Sequence, residues 1–327
     1  MSLTQQDLQK LIQEIPDLHF SPCMDCDWKM TPLAQAYLDH YGINFAKHDE
    51  QLKHGFGYVN TLNFRIATHY WVPSGARGTL LVMHGYYDHV GILGQAIRFA
   101  LNHNLAVLAF DLPGHGLSSG EPAVIDSFNE YGDVLSEILQ QSAVIMPQTL
   151  YAMGQSTGCA VLLNYLWRHV VAKNGTDPFK KLALCSPLVL PRTWRGWHMG
   201  RHIHATLHRF VQRIARTFSS NSHDLKFLDF IQHQDPLQAR HLSLLWLSAM
   251  KAWHEIFLAL PPVQKNILVV QGTADMTVDW RYNLPLIKRK LPNAEVVYIE
   301  DAGHQLINES EHYRRDVFAA IEKYFFN

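Results

Sequence analysis

Ser156 is the residue in this sequence best placed to act as a nucleophile. It stands in Gly154-Gln155-Ser156-Thr157-Gly158. A short apolar run, Thr149 to Met153, precedes it, and Cys159 to His169 follows with Val161, Leu162, Tyr165 and Leu166 at helical spacing. Gly-x-Ser-x-Gly between a strand and a helix forms a nucleophile elbow, a sharp turn that presents the serine hydroxyl at a helix N-terminus. Neither glycine has a side chain to collide there, so strand and helix can pack closely. The amide of Thr157 would then face the place where an oxyanion forms.

A serine hydroxyl needs a base that takes its proton as it attacks. Twenty histidines are available, and position selects among them. His304 follows the last expected strand in an Ala-Gly-His turn, which gives the chain order Ser, Asp, His. The third member must hold the imidazole and stabilise its cation. Asp275 lies just past the preceding strand, Asp279 four residues on, and Asp301 three residues before His304. Asp275 is the expectation, because a loop directly off a strand end best places a fixed carboxylate. Asp279 reads as a helix N-terminal residue. The second oxyanion donor should come from the loop after Thr79–Met83, where the Tyr86 amide follows His84-Gly85. His84, Asp111 and His115 read as braces of their loops.

Such residues need a scaffold. Continuous apolar runs of the kind found in buried parallel strands lie at Thr79–Met83, Leu105–Phe110, Thr149–Met153, Lys181–Cys185, Ile267–Val270 and Glu295–Ile299. A hairpin around Asn60-Thr61-Leu62 precedes them, and helical patterns at 92–102, 127–141 and 311–325 alternate with them. The alternation predicts an α/β fold, a mostly parallel sheet with helices on both faces. Every polar motif above falls just past the carboxyl end of a strand, where such sheets bind ligands. The rhythm breaks between Pro187 and Asn266. A structureless loop of that length is improbable, and Ile203, Leu207, Phe210, Val211, Ile214 and Phe218 share a helical face, so an inserted helical cap is expected. The predicted organisation is an N-terminal arm over 1–52 with helices at 4–15 and 32–41, a core over 53–187 and 265–327, and a cap over 188–264.

Composition narrows the function further. Hydrophobic residues make up 47% of 327 and the formal net charge is −1, which fits a soluble globular protein and gives no electrostatic reason to expect nucleic acid. Cys23 and Cys26 form a C-x-x-C without the second pair that zinc would need, and neither metal nor redox function is expected of them. No apolar stretch suits a signal peptide or reaches the roughly 18 residues needed to span a bilayer, so a cytoplasmic setting is expected. The cap holds seven Arg and two Lys against four acids, a net charge of about +5. Arg201, Arg209, Arg213 and Arg216 would oppose the apolar face of its helix, either as a solvated face or as a peripheral contact with an anionic membrane. Trp194, Trp197, Trp246 and Trp253 are candidates to line an apolar substrate cavity beneath it.

Three stretches together carry a family resemblance: His84-Gly85-Tyr86-Tyr87-Asp88-His89, Phe110-Asp111-Leu112-Pro113-Gly114-His115-Gly116-Leu117-Ser118-Ser119-Gly120, and the elbow itself. The chain resembles the α/β hydrolases, and within them the monoacylglycerol lipase and lysophospholipase-like group. Ser186-Pro187-Leu188 and Asp235-Pro236-Leu237 are similar to that group around its cap. The resemblance implies Ser156, Asp275 and His304 as a triad, the Tyr86 and Thr157 amides as an oxyanion hole, a single-chain lipid ester as substrate, and no metal or organic cofactor. Gln155 and Thr157 depart from the His and Met usual there, and Asp88 from Glu. The alternatives are a small-ester or thioester hydrolase, a peptidase on the same triad, or a non-catalytic binding protein on this scaffold.

Overall fold

The computed structural model describes residues 3–21, 30–192 and 213–327. Cys23, Cys26, Trp194, Trp197, Arg201 and Arg209 lie outside the described residues. The arm carries helices α1 (Gln5–Glu14) and α2 (Pro32–Tyr41). Thr4 caps α1 through a reciprocal hydrogen-bond pair with Asp7, and Thr31 caps α2 ahead of a proline at its first position.

The core is one eight-stranded sheet. Its strands are β1 (Lys53–Thr61), β2 (Phe64–Val72), β3 (Thr79–Met83), β4 (Ala106–Phe110), β5 (Leu150–Gln155), β6 (Phe179–Cys185), β9 (Ile267–Gly272) and β10 (Ala294–Ile299). They lie in the order β1-β2-β4-β3-β5-β6-β9-β10. The hairpin β1–β2 is antiparallel and meets β4 antiparallel; every pair from β4 to β10 is parallel. Side chains alternate across it. Leu81, Met83, Leu108, Phe110, Leu182, Leu184, Ile267 and Val269 point to one core layer, while Leu80, Val82, Val107, Ala109, Ala183, Cys185, Leu268 and Val270 point to the other. Both faces are therefore apolar, which is why these strands read as continuous rather than alternating runs.

Helices α4 (Phe128–Ser142), α5 (Thr157–Tyr165) and α8 (Trp280–Lys290) cover the first layer; α3 (Gly94–Asn102) and α9 (Glu311–Phe326) cover the second, together with the arm. Leu8, Leu11, Tyr37 and Leu38 of the arm pack into that second layer. Asp279 caps α8 by accepting from the Tyr282 amide, the role its position suggests.

The segment between β6 and β9 contains α6 (Leu225–Asp229), α7 (Leu244–Ala259) and a two-stranded ribbon of β7 (Arg213–Ala215) and β8 (His241–Ser243). The ribbon corrects one expectation. A helix does not run on to Phe218: Ile214 pairs with Leu242 in the ribbon, and the helical spacing of Ile214 and Phe218 is accidental. Arg213 and Arg216 do not stand on an open basic helix face either. Arg213 pairs with Glu121, and Arg216 lies over the rings of Tyr87 and Phe218 and bonds Gln238. No helix among the described residues is long and apolar enough to cross a membrane.

Candidate active site

Ser156 joins β5 to α5 with φ +53° and ψ −110°. A non-glycine residue there stores strain of about 1–3 kcal/mol, which persists only where the surroundings enforce it. The flanking glycines enforce it. A Cβ on Gly158 would collide with the Met83 carbonyl oxygen, and one on Gly154 would come within 2.8 Å of the Cys159 nitrogen. With no Cβ, α5 presses directly onto the end of β3 and the turn has no room to relax. Thr157 is the first residue of α5, where an amide has no intrahelical acceptor.

His304 is placed beyond β10, and its Nδ1 lies 2.8 Å from Oδ2 of Asp275. Asp275 is 1% exposed. Its Oδ1 accepts from the Thr277 and Val278 amides at 2.8 and 3.1 Å, and Gln271 Nε2 donates to Oδ2. Burial alone would raise this carboxyl, but the His304 ring beside it and the two amides outweigh burial and hold it below the usual carboxylate range. A fixed anion on Nδ1 leaves Nε2 as the nitrogen that can take a proton. Of the competing acids, Asp279 is the α8 cap and Asp301 sits exposed with φ +57°.

The loop after β3 closes the site. A methyl at Gly85 would stand 3.3 Å from Ser156 Cβ, so the backbone leading to Tyr86 runs alongside Ser156. His84 braces it from below: Nδ1 faces the Gly85 carbonyl at 2.8 Å and Nε2 accepts from the Leu112 amide at 2.9 Å. Burial pushes His84 well below the ordinary histidine value, so it stays neutral. Asp111 accepts from the Val90 and Leu117 amides, and His115 faces the Pro113 carbonyl. Among the described residues no cluster of three or more His, Cys, Asp or Glu could hold a metal.

Three elements of the site carry no sequence signal. Gln155 Nε2 donates to the His304 carbonyl at 2.8 Å, strapping the elbow to the histidine loop. The Asn221 carbonyl accepts the amides of both His304 and Gln305 at 2.9 Å. Glu309, fully buried, accepts from the amides of Gly303, His223 and Ser310 at 2.7–2.8 Å and faces His223 Nδ1 at 2.9 Å. Burial would raise Glu309, but these donors outweigh it and hold it down. Asp88, by contrast, is pushed up by burial, with Gln305 Nε2 as its donor at 3.1–3.2 Å.

Of the four candidate tryptophans, two can be placed. Trp246 stacks on Tyr86 with ring centroids 3.7 Å apart. Trp253 is 1% exposed and packs among Phe128 and Phe257, so it belongs to the core rather than to an open cavity wall.

Residues 74–311 match the family described as serine aminopeptidase, S33. A monoglyceride lipase homolog of Monkeypox virus is 23% identical over 82% of this chain and 96% of its own. The monoglyceride lipase of Homo sapiens is 25% identical over 77% of this chain and 84% of its own. In fold, the chain resembles a soluble variant of monoglyceride lipase from Saccharomyces cerevisiae in complex with a substrate analog. That likeness has TM-score 0.68 and 17% identity, and covers 82% of this chain and 94% of the other.

Proposed function

The chain belongs to the serine aminopeptidase S33 family of α/β hydrolases, and from that premise we propose that it hydrolyses single-chain lipid esters, a monoacylglycerol or a lysophospholipid, through an acyl-enzyme. The observation that carries the reading is the His304–Asp275 pair, 2.8 Å apart and buried, in chain order behind a positive-φ serine. Ser156 attacks the ester carbonyl as His304 takes its proton. The amides of Tyr86 and Thr157 stabilise the tetrahedral oxyanion. His304 returns the proton to the departing alcohol, and a water activated by the same imidazole releases the fatty acid. The segment 188–264 acts as the cap over the acyl chain. The relatives named monoglyceride lipase support the lipid ester over other acyl substrates.

The peptidase alternative has a specific test in the structure. An aminopeptidase needs a free carboxylate for the substrate ammonium, and the acids of the insertion are engaged. Asp224 caps α6, Asp229 bonds His233 and Gln234, Asp235 is buried against His89, and Glu255 faces Lys251 one helical turn away. Asp88 flanks Gly85 beside Ser156, but it too is engaged, buried and holding Gln305 Nε2 at 3.1–3.2 Å. Fluorophosphonate labelling of the wild type but not of Ser156→Ala tests the nucleophile. A panel of monoacylglycerols, lysophospholipids and aminoacyl anilides tests the substrate: faster turnover of the anilides would overturn the lipid reading.

A further inference from the structure

Successive residues of the loop beside Ser156 are tied to different parts of the molecule. Tyr86 stacks on Trp246, Arg216 lies 4.0 Å above the Tyr87 ring, and Asp88 takes its hydrogen bonds from Gln305. His89 ends the loop, and its tether leads out of the hydrolase core. His89 Nε2 lies 2.9 Å from Oδ2 of Asp235, with both side chains fully buried. The Gly91 amide donates to His89 Nδ1 at 3.2 Å, so Nε2 carries the hydrogen that Asp235 accepts. Gln238 Nε2 adds a second donor to the same carboxylate oxygen.

The other oxygen, Oδ1, has two donors: the Leu237 amide at 3.0 Å and the Tyr41 hydroxyl at 2.7 Å. Tyr41 ends α2 of the N-terminal arm, outside the stretch that matches the family. Its ring also meets the His89 ring edge-on at 4.9 Å. The arm grips the same junction elsewhere: Gln5 donates to the Pro236 carbonyl, and the rings of His40 and Tyr41 pack on Phe230. A buried carboxylate is costly unless its lone pairs are filled. Without the Tyr41 hydroxyl, Oδ1 keeps only the Leu237 amide, so Asp235 re-seats toward that amide and His89 follows its hydrogen bond. The loop has little slack to absorb that movement, since Tyr87 already sits at φ +71° and Val90 is pinned to Asp111.

We propose that Tyr41 is a positioning residue of the active site: through Asp235 and His89 it sets the loop that carries the Tyr86 amide, so the N-terminal arm is a working part of catalysis. The proposal rests on the reading of Ser156 and the oxyanion hole given above. It is tested in the full chain with Tyr41→Phe and Asp235→Asn, by the rate of fluorophosphonate labelling per folded molecule, the affinity for a trifluoromethyl ketone that forms a tetrahedral adduct, and the KM for a short soluble ester. Outright loss of an oxyanion donor costs about 10²–10³-fold in kcat, so displacing one should cost roughly tenfold. Labelling rate and ketone affinity should fall together by that factor in each variant while KM stays within about twofold. The double variant should be no slower than the slower single, because both act on one relay. Labelling and ketone affinity within about twofold of wild type in both variants, or a loss confined to KM, overturns the proposal. A wild type that takes no label at Ser156 overturns the functional reading itself, a separate and recognisable failure.

Discussion

Replacing Glu309 by glutamine isolates the clamp on the histidine loop. The wild-type carboxylate offers only acceptors, and four donors from three segments converge on it: the Gly303 amide and His223 Nδ1 on one oxygen, the His223 and Ser310 amides on the other. Glutamine keeps the shape but puts an NH₂ group against one of these donor pairs. At least two hydrogen bonds to a charged group are lost, each worth about 1.5–3 kcal/mol, so roughly 3–6 kcal/mol of stability should go. A domain in the middle or upper part of the usual range of about 5–15 kcal/mol remains folded, with Tm lower by about 4–9 °C. Because Gly303 is the residue before His304, kcat should fall with little change in KM. The pH dependence gives an independent check. Glu309 is held below its ordinary value, so its contribution is present above the unfolded value near 4.5 and is lost as pH falls through the lower folded value. Urea midpoints measured from about pH 7 down to about pH 3 should therefore drop less steeply in Glu309→Gln than in wild type. An unchanged Tm together with an unchanged kcat would refute the clamp.

Other expectations follow from the same geometry. Asp275→Asn should leave the fold intact and lower kcat on the order of 10⁴-fold, whereas Asp279→Asn, which keeps a capping oxygen for the Tyr282 amide, should leave kcat and stability nearly unchanged; steady-state kinetics on both variants separates the two acids. Gly158→Ala drives a methyl into the Met83 carbonyl, so it should lower Tm and abolish fluorophosphonate labelling together, and normal labelling would remove the close-packing argument. His54 and His69 lie 3.2 Å apart within the β1–β2 hairpin, His54 stacked on Trp71. Burial pushes His54 down to about 3 and His69 well below the ordinary value. Both are neutral in the fold, the unfolded chain binds more protons, and stability should fall as pH drops from about 6.5 toward about 3. His54→Leu should flatten that part of the urea-midpoint profile.

The parts legible in the sequence share one property: their signal is local. Val82 and Val107 sit in short apolar runs bounded by turns, so the parallel strands can be placed almost to the residue. Ser156 announces itself because an elbow needs glycines at fixed offsets on either side. His304 and Asp275 are legible only through chain order, since nothing local distinguishes one strand-end acid from another; the amides of Thr277 and Val278 make that distinction in three dimensions. Glu309, Gln155 and Asn221 are not legible at all. Gln155 finds its partner 149 residues away, and the Asn221 contribution is a carbonyl that any residue could supply. The helical spacing of Ile214 and Phe218 misleads because a ribbon strand as short as Arg213–Ala215 leaves too few positions to show an alternating period.

The insertion between β6 and β9 tolerates changes of length. Those two strands pair directly and in parallel, Ala183 opposite Leu268, so the insertion leaves the sheet at the carboxyl end of β6 and crosses back to the amino end of the strand beside it. Closing a longer or shorter excursion between such points changes the loop entropy only slowly, about 0.6 kcal/mol per doubling of length. A change in the length of this segment therefore leaves the sheet pairing intact. The change is not unrestricted, because the Asn221 carbonyl and His223 reach the histidine loop and Asp235 reaches His89. A transplanted segment that lacks these footholds would arrive on an intact scaffold and switch it off.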